Sequence, residues 1–397
     1  MGMAPEIPQP STGETSRLKV LVITRNLPPL VGGMERLLHN LVLGVAEYAD
    51  VAVIGPNGCR AHLPETVETH ECSNKLAGFL SGSTLTALRI VRKGRFDVVI
   101  GGSGLMAPLL FLLKTLFQCR TLVLVHGLDI IVDHWLYQQL FIPALRRADQ
   151  VVANSRNTKR LAIEKGVPEE RISIIHPGTH IPGQPDEDRK REFLQRYRIP
   201  YSRYMLFAGR ITRRKGLSPF IRHSLPAILQ ACPDTGLVVV GDNANDSLNR
   251  QGEKAEVLAA IDEAGLCDKV MFLGQVDDRD LETAYACAAV HVFPLIEVPG
   301  DVEGFGMVVI EAAAVGTVTV AFDVGGVADA LELVGGTLIP SGNYTEFTRL
   351  ITQTIAGGQT ARQVSVEIHS SISWDRYASL FKAATMRAAD RSQPMIQ

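Results

Sequence analysis

The 397 residues are 46% apolar and 21% charged, a balance that excludes a disordered or fibrous chain and at this length predicts two domains. Aromatic residues make up 6% of the chain and no stripe of alternating basic and aromatic side chains occurs, which speaks against a nucleic-acid partner. The net charge of −2 hides an excess of about six positive charges in residues 17–183 and about six negative ones in 184–397, which suits either an anionic partner for the first half or ordinary solvated scatter.

The first sixteen residues are rich in Pro, Ser, Thr and Glu and lack a basic start or an apolar core. They are expected to form a disordered tail (1–16) and not a signal peptide. Leu18–Thr24 reads as a buried parallel strand, followed by the loop Arg25–Arg36 with Gly32-Gly33 at its end. Met34, Leu37, Leu38, Leu41, Val42 and Val45 then recur at helical spacing. Strand, glycine-rich loop and helix can place N–H groups against a ligand, or the glycines can simply make a turn; no G-x-G-x-x-G fingerprint is present. Further strands are expected at Val51–Ile54, Asp97–Gly101, Thr121–Val125, Gln150–Ala153 and Ile172–Ile175, with helices at Leu105–Phe117 and about 134–147. The apolar run Leu109–Phe117 is too short to span a bilayer. Four prolines and a charged run from Pro177 to Pro200 mark a linker, with room for a short charged helix in it. A second series of strands is expected near Tyr204–Ala208, Leu237–Val240, Val270–Leu273, Val290–Phe293, Val318–Ala321 and Thr337–Ile339, and Trp374–Ala389 reads as a final amphipathic helix. Alternating strands and helices predict an α/β architecture of two doubly wound domains, 17–183 and 201–371, joined by a linker at 184–200 and facing an interdomain cleft. The six cysteines show no C-x-x-C spacing, as expected for reduced thiols in a cytoplasmic protein.

The chemistry gathers in three places. Asp301 to Glu311 sets Glu303 and Glu311 eight positions apart around Gly304-Phe305-Gly306. If the run from Phe305 is helical, both carboxylates lean to one side of a helix N-terminus that favours an anion. Gly209-Arg210 and Lys215-Gly216 follow the first strand of the second half, where two cations can close on a diphosphate; a solvated basic turn is the other reading. His126 directly follows an apolar strand and is either a polar contact in the cleft or a structural histidine. Neither Asp278-Arg-Asp280 nor Asp186-Glu-Asp188 has a further ligand at metal spacing, and no metal or other cofactor is expected.

Together, Gly32-Gly33-x-Glu35-Arg36, His126-Gly127, Gly209-Arg210-x4-Lys215-Gly216 and Glu303-Gly-Phe-Gly-x4-Glu311 resemble the retaining GT-B glycosyltransferases of family 4, over about residues 18–390. The resemblance implies two Rossmann-like domains, the second binding a UDP- or GDP-sugar donor and the first a glycan or lipid-linked acceptor, with a final helix (372–397) crossing back to the first domain. It implies that Arg210 and Lys215 hold the diphosphate with Gly32, Gly33 and Gly209 nearby, and that Glu303 faces the transferred sugar. Glu311 would bond the ribose, His126 would lie near the sugar's 6-position, and Gly274 and Gln275 would flank the base. Gly304, Phe305 and Gly306 would line the donor site. A metal-independent, configuration-retaining transfer of a hexose, with no agreed protein nucleophile, is the implied reaction. Gly241–Asn245 and His176–His180 depart from the turns common in that family. A nucleotide-sugar 2-epimerase and a non-catalytic sugar-nucleotide sensor are rival readings.

The cations Arg89, Arg92, Lys93 and Arg95, with Lys114 and Arg120, are expected to give peripheral contact with the anionic inner face of a membrane, a solvated basic face being the alternative.

Overall fold

The computed structural model describes residues 17–242, 253–358 and 366–390. The tail expected at 1–16, the turn residues 243–245 and the end of the final segment at 391–397 lie outside them. The first domain is built on seven parallel strands: β1 (Leu18–Ile23), β2 (Ala49–Pro56), β3 (Glu68–Cys72), β4 (Val98–Gly101), β5 (Arg120–Val125), β6 (Gln150–Ala153) and β7 (Ile172–Ile174), in the order β3-β2-β1-β4-β5-β6-β7. The second has six: β8 (Arg203–Ala208), β9 (Thr235–Val240), β10 (Val270–Gly274), β11 (Val290–Phe293), β12 (Thr319–Asp323) and β13 (Thr337–Pro340), in the order β10-β9-β8-β11-β12-β13. Val20 pairs with Val51 on one side and Val98 on the other, and all three lie in the core. Such strands are covered on both faces, which is why they read as continuous apolar runs.

Strand order reverses between β1 and β4 and again between β8 and β11. In open α/β sheets the crevice at that reversal, beyond the carboxyl ends of the strands, is where ligands bind. The loops after β1 and β8, which carry Gly32-Gly33 and Gly209–Gly216, therefore stand at the two crevices.

One face of the first sheet is covered by helices Leu76–Lys93 and Ala107–Phe117 and by the helical stretch 135–145. That stretch widens to a π-helix over Tyr137–Phe141, just ahead of Pro143, whose missing N–H breaks the ordinary ladder. Helices Gly33–Ala46 and Trp374–Ala389 cover the other face, with Tyr377, Phe381 and Ala384 packed among Leu37, Leu41 and Val45. Gly44 lets these helices touch: a Cβ there would stand 2.7 Å from that of Ala378. Burying Tyr377 and Phe381 contributes on the order of 2 kcal/mol each. The chain thus returns to the first domain beside its outward crossing, where Thr179 N–H donates to Ile372 O at 2.7 Å.

Two stretches differ from the sequence reading. The short charged helix that the run at 186–191 allows within 184–200 is Glu187–Arg196, and it is not free linker. Asp186 caps it, Phe193 is buried beside Tyr204 and Tyr285, and Arg196 reaches Asp280 at 3.0 Å, so it is built onto the second domain. Lys114 and Arg120 are not surface cations. Lys114 Nζ lies 2.7 Å from Asp149 and Arg120 lies 3.6 Å from the same carboxylate, all three nearly buried at the amino edge of the first sheet.

Candidate active site

β8 ends at Ala208, and beyond Gly209 the chain makes one tight turn, Arg213–Lys215, before Gly216. Gly216 adopts φ 67 with the Pro294 carbonyl oxygen against it. A side chain there would be strained by the backbone and overlap that oxygen, so only glycine fits. The turn exposes Arg213 and drives Arg214 and Lys215 inward. Lys215 Nζ lies 2.9 Å from Glu303 Oε2 and 4.5 Å from the centre of the Phe293 ring. Arg214 donates to Asp301 Oδ1 at 2.9 Å and also pairs with Glu303 Oε2. Both cations converge on one oxygen, and among the described residues Glu303 Oε1 accepts no hydrogen bond.

Burial pushes the Glu303 carboxyl up, but Lys215 and Arg214 outweigh it and hold the pKa down to about 2. His291, buried beneath, is pushed down to about 3 by burial and by Lys215. Burial lowers the Lys215 pKa against the pull of Glu303, whereas Glu303 and Asp301 raise that of Arg214 against burial, so the site presents a carboxylate held ionised between two cationic side chains, over a neutral imidazole at physiological pH. Exposed Arg210 adds positive charge that acts on both Lys215 and Glu303.

Two helix starts meet over this cluster. Helices Gly33–Ala46 and Met307–Ala314 begin at Gly32 and Gly306, and neither has a side-chain cap. A Cβ on Gly33 would stand 3.2 Å from Met307 Sδ, so both uncapped N-termini, which favour anions, open on the same space. The domains touch through bare backbone beside it. A Cβ on Gly304 would overlap His126 O, and one on Gly326 would stand 2.8 Å from Ser155 Oγ. Charge also ties the cleft: Arg36 bridges Glu311 at 3.2 Å and Asp278, and Arg156 bridges Asp329 and Glu332.

Of the residues read from sequence, Lys215, Glu303, Gly304 and Gly306 come together with Gly32 and Gly33 across the cleft. Glu311 is nearly buried one helix turn on, where burial raises its pKa against the pull of Arg36, and Tyr285 Oη donates to it at 3.4 Å. Phe305 is buried and stacks on His176 at 5.4 Å, a supporting position. His126 is held by its own domain: Nε2 meets Gly102 O at 2.8 Å and its N–H donates to Asp129 at 2.8 Å. Gly209 sits at the mouth of the cluster, with Lys215 Cε 3.8 Å from a would-be Cβ. Gly274 and Gln275 stand at the end of β10, two strands out from β8, and do not touch the cluster.

Arg214, Asp301 and Arg36 escaped the sequence reading. Arg213 and Arg214 are adjacent and identical in type, and only the tight turn decides which faces inward. Arg36 lay in the quoted motif, but its partner Glu311 is 275 positions away. Among the described residues, no group of three or more His, Cys, Asp or Glu side chains is arranged to hold a metal ion, and no helix is long and apolar enough to cross a membrane.

Comparisons with known proteins bear on the family and the fold. The profile of Glycosyltransferase Family 4 matches residues 31–181, and that of the Glycosyl transferases group 1 matches residues 189–368. The D-inositol 3-phosphate glycosyltransferase of Mycobacterium marinum is 24% identical, the alignment covering 96% of this chain and 83% of that protein. The GDP-mannose-dependent alpha-(1-6)-phosphatidylinositol monomannoside mannosyltransferase of Mycolicibacterium smegmatis is also 24% identical, over 87% of this chain and 92% of that one. Among solved structures, Anabaena HepE in complex with UDP and glucose superposes with a TM-score of 0.75 at 19% identity, covering 93% of this chain and 99% of the other. Sucrose-phosphate synthase from Thermosynechococcus elongatus gives 0.73 at 20% identity, covering 93% and 98%. The chain is a GT-B glycosyltransferase, belonging to Family 4 through its first half and to the group 1 glycosyl transferases through its second.

Proposed function

We propose that the protein transfers a hexosyl group, with retention of anomeric configuration and without a metal ion, from a UDP- or GDP-sugar to a hydroxyl of a lipid-linked or cell-envelope glycan acceptor. The observation that carries this reading is the pairing of Lys215 and Arg214 on one oxygen of Glu303 beneath two uncapped helix N-termini. Positive charge and free N–H groups suit a diphosphate, and the unpaired Glu303 Oε1 suits the hydroxyls of the sugar attached to it. Lys215 and Arg210 hold the diphosphate, Arg214 fixes Glu303, and Gly32, Gly33, Gly209, Gly304 and Gly306 let backbone approach the donor. Glu311 takes the ribose in place of Arg36, Gly274 and Gln275 flank the base, and His126 bounds the sugar from the acceptor side.

In the reaction the bond from the sugar's anomeric carbon to the diphosphate oxygen breaks, and its electron pair leaves with the nucleoside diphosphate. The acceptor oxygen bonds the same carbon from the same face and passes its proton to a phosphate oxygen of the leaving group. Lys215 and Arg210 stabilise the charge that develops there, the task a divalent cation performs in other phosphate chemistry. The relative named for GDP-mannose and a phosphatidylinositol mannoside supports the donor class and a lipid-bearing acceptor. We place the enzyme in the cytoplasm, peripheral on the inner face of the membrane. A thermal-shift screen of UDP, GDP and ADP with their sugars tests the donor class, because a ligand of the folded state raises the melting point by mass action. A shift with UDP or GDP compounds is expected; no shift with any of them would contradict the reading. Transfer is expected to persist in EDTA, and its loss there would overturn the metal-free reaction.

A further inference from the structure

The outer face of the first domain carries a feature that donor chemistry does not use. Helices Leu76–Lys93 and Ala107–Phe117 and the stretch 134–148 contain no Asp or Glu at all, and they pack side by side over one face of the first sheet. Large apolar side chains stand outward among the exposed Ser81, Thr115, His134 and Gln139: Leu85, Leu112, Leu116, Trp135, Leu136 and Leu140 are exposed, Trp135 and Leu85 by more than 70%. In the second domain, exposed large apolar residues among those described are scattered at Leu258, Leu338 and Val366. The exposed cations at the border are Arg89, Arg92, Lys93 and Arg95 on one side and Arg146 and Arg147 on the other. Arg147 extends over the Phe111 ring, 5.7 Å from its centre. A groove of about 630 Å³ at one end is lined by Leu88, Arg89, Arg92, Lys93 and Phe117, which sets cations over apolar side chains.

We propose that this face is the docking surface for an anionic lipid bilayer, with Trp135, Leu136, Leu140 and Leu116 entering the interface and the two cation groups meeting the headgroups. An apolar face rimmed by Arg and Lys, with an exposed Trp and a single exposed acid, Asp133, at its edge, has the chemistry of an interfacial membrane contact. It differs from the expected basic cluster, since Lys114 and Arg120 are turned inward onto Asp149. The surface also leads to the cleft. Tyr137, in the stretch that carries Trp135 and Leu140, donates to Asp129 O, and the Asp129 carboxylate accepts from the backbone N–H of His126 and of Gly104, each at 2.8 Å. The docked helix is thereby braced to the His126 loop, and the acceptor side of the cleft lies beside the bilayer. The assignment rests on the reading of the acceptor as lipid-linked.

Co-sedimentation with vesicles of phosphatidylcholine alone, and of phosphatidylcholine mixed with phosphatidylglycerol, tests it. Three full-length proteins are compared: wild type, the triple variant Arg89→Glu/Arg92→Glu/Lys93→Glu, and the double variant Trp135→Ser/Leu136→Ser. Wild type is expected on anionic vesicles only, and each variant is expected to lose about tenfold or more of that binding, the wild-type interaction weakening with salt. Melting points and the shift produced by the nucleotide sugar are expected to stay at wild-type values in both variants. A failed donor screen with intact vesicle binding would therefore strike the donor reading and leave the surface standing. Equal recovery on neutral and anionic vesicles, or unchanged binding in both variants, would overturn the proposal. So would sedimentation analysis showing a dimer that the double variant dissociates, since a second copy would then cover the face.

Discussion

Each domain buries two cations on one carboxylate, and the two clusters have opposite fates. In the first domain Lys114 and Arg120 flank Asp149, whose second oxygen accepts from Thr121 N–H and Oγ1, each at 2.9 Å. Every oxygen is satisfied, and the cluster sits at the amino edge of the sheet, away from the crevice. In the second domain Lys215 and Arg214 flank Glu303 at the carboxyl edge, both on Oε2, with Oε1 open among the described residues. Their exposures are similar, side chains of 5–8% against 10–13%, so burial does not separate them. Hydrogen-bond completeness and the edge of the sheet do: a closed cluster holds the fold, and an open one at the strand reversal awaits a ligand.

Exchanging the cations tests that distinction. Lys215→Ala is expected to lower kcat/KM for transfer by about 10²–10³-fold, with the circular dichroism spectrum unchanged; steady-state kinetics checks it. Lys114→Ala is expected to act on stability instead. It leaves Asp149 short of a partner and costs about 3 kcal/mol, read from urea denaturation, while kcat/KM per folded molecule stays near wild type. Acid titration sharpens the contrast. The Glu303 pKa is depressed from 4.5 to about 2, so its stabilisation is complete above the unfolded value and lost as pH falls toward the folded one. Wild type is expected to lose stability more steeply than Glu303→Gln between pH about 4.5 and about 2, by melting point against pH. The smallest effect is expected from Arg36→Ala, which removes half-exposed ties across the cleft: less than about 1 kcal/mol in stability and a few-fold lower kcat, by denaturation and kinetics.

The sequence made legible what depends on runs and spacing. Continuous apolar segments such as Leu18–Ile23 and Gln150–Ala153 announced buried parallel strands, and the glycines at 32–33 and 304–306 announced the bare helix starts. β3 was missed because Glu68–Cys72 is a polar edge strand with a partner on one side only, and the helix at 76–93 because glycines and serines dilute its apolar stripe. The charged run at 186–191 allowed helix Glu187–Arg196, but not its attachment to the second domain, because its partners, Asp280 and Glu282, lie far along the chain. Lys114 looked like a surface charge in an apolar run, and nothing local revealed Asp149 opposite it. Pairings between distant charges depend on tertiary folding and cannot be read from periodicity.

The central claim is that the open cluster, not the closed one, binds the nucleotide diphosphate. Calorimetric titration of UDP and GDP into wild type, Lys114→Met and Lys215→Met, at a temperature where all three are folded, tests it most directly. One of the two nucleotides is expected to bind wild type and Lys114→Met alike and Lys215→Met at least about tenfold more weakly. Equal binding by Lys215→Met, or an equal loss in Lys114→Met, would contradict it.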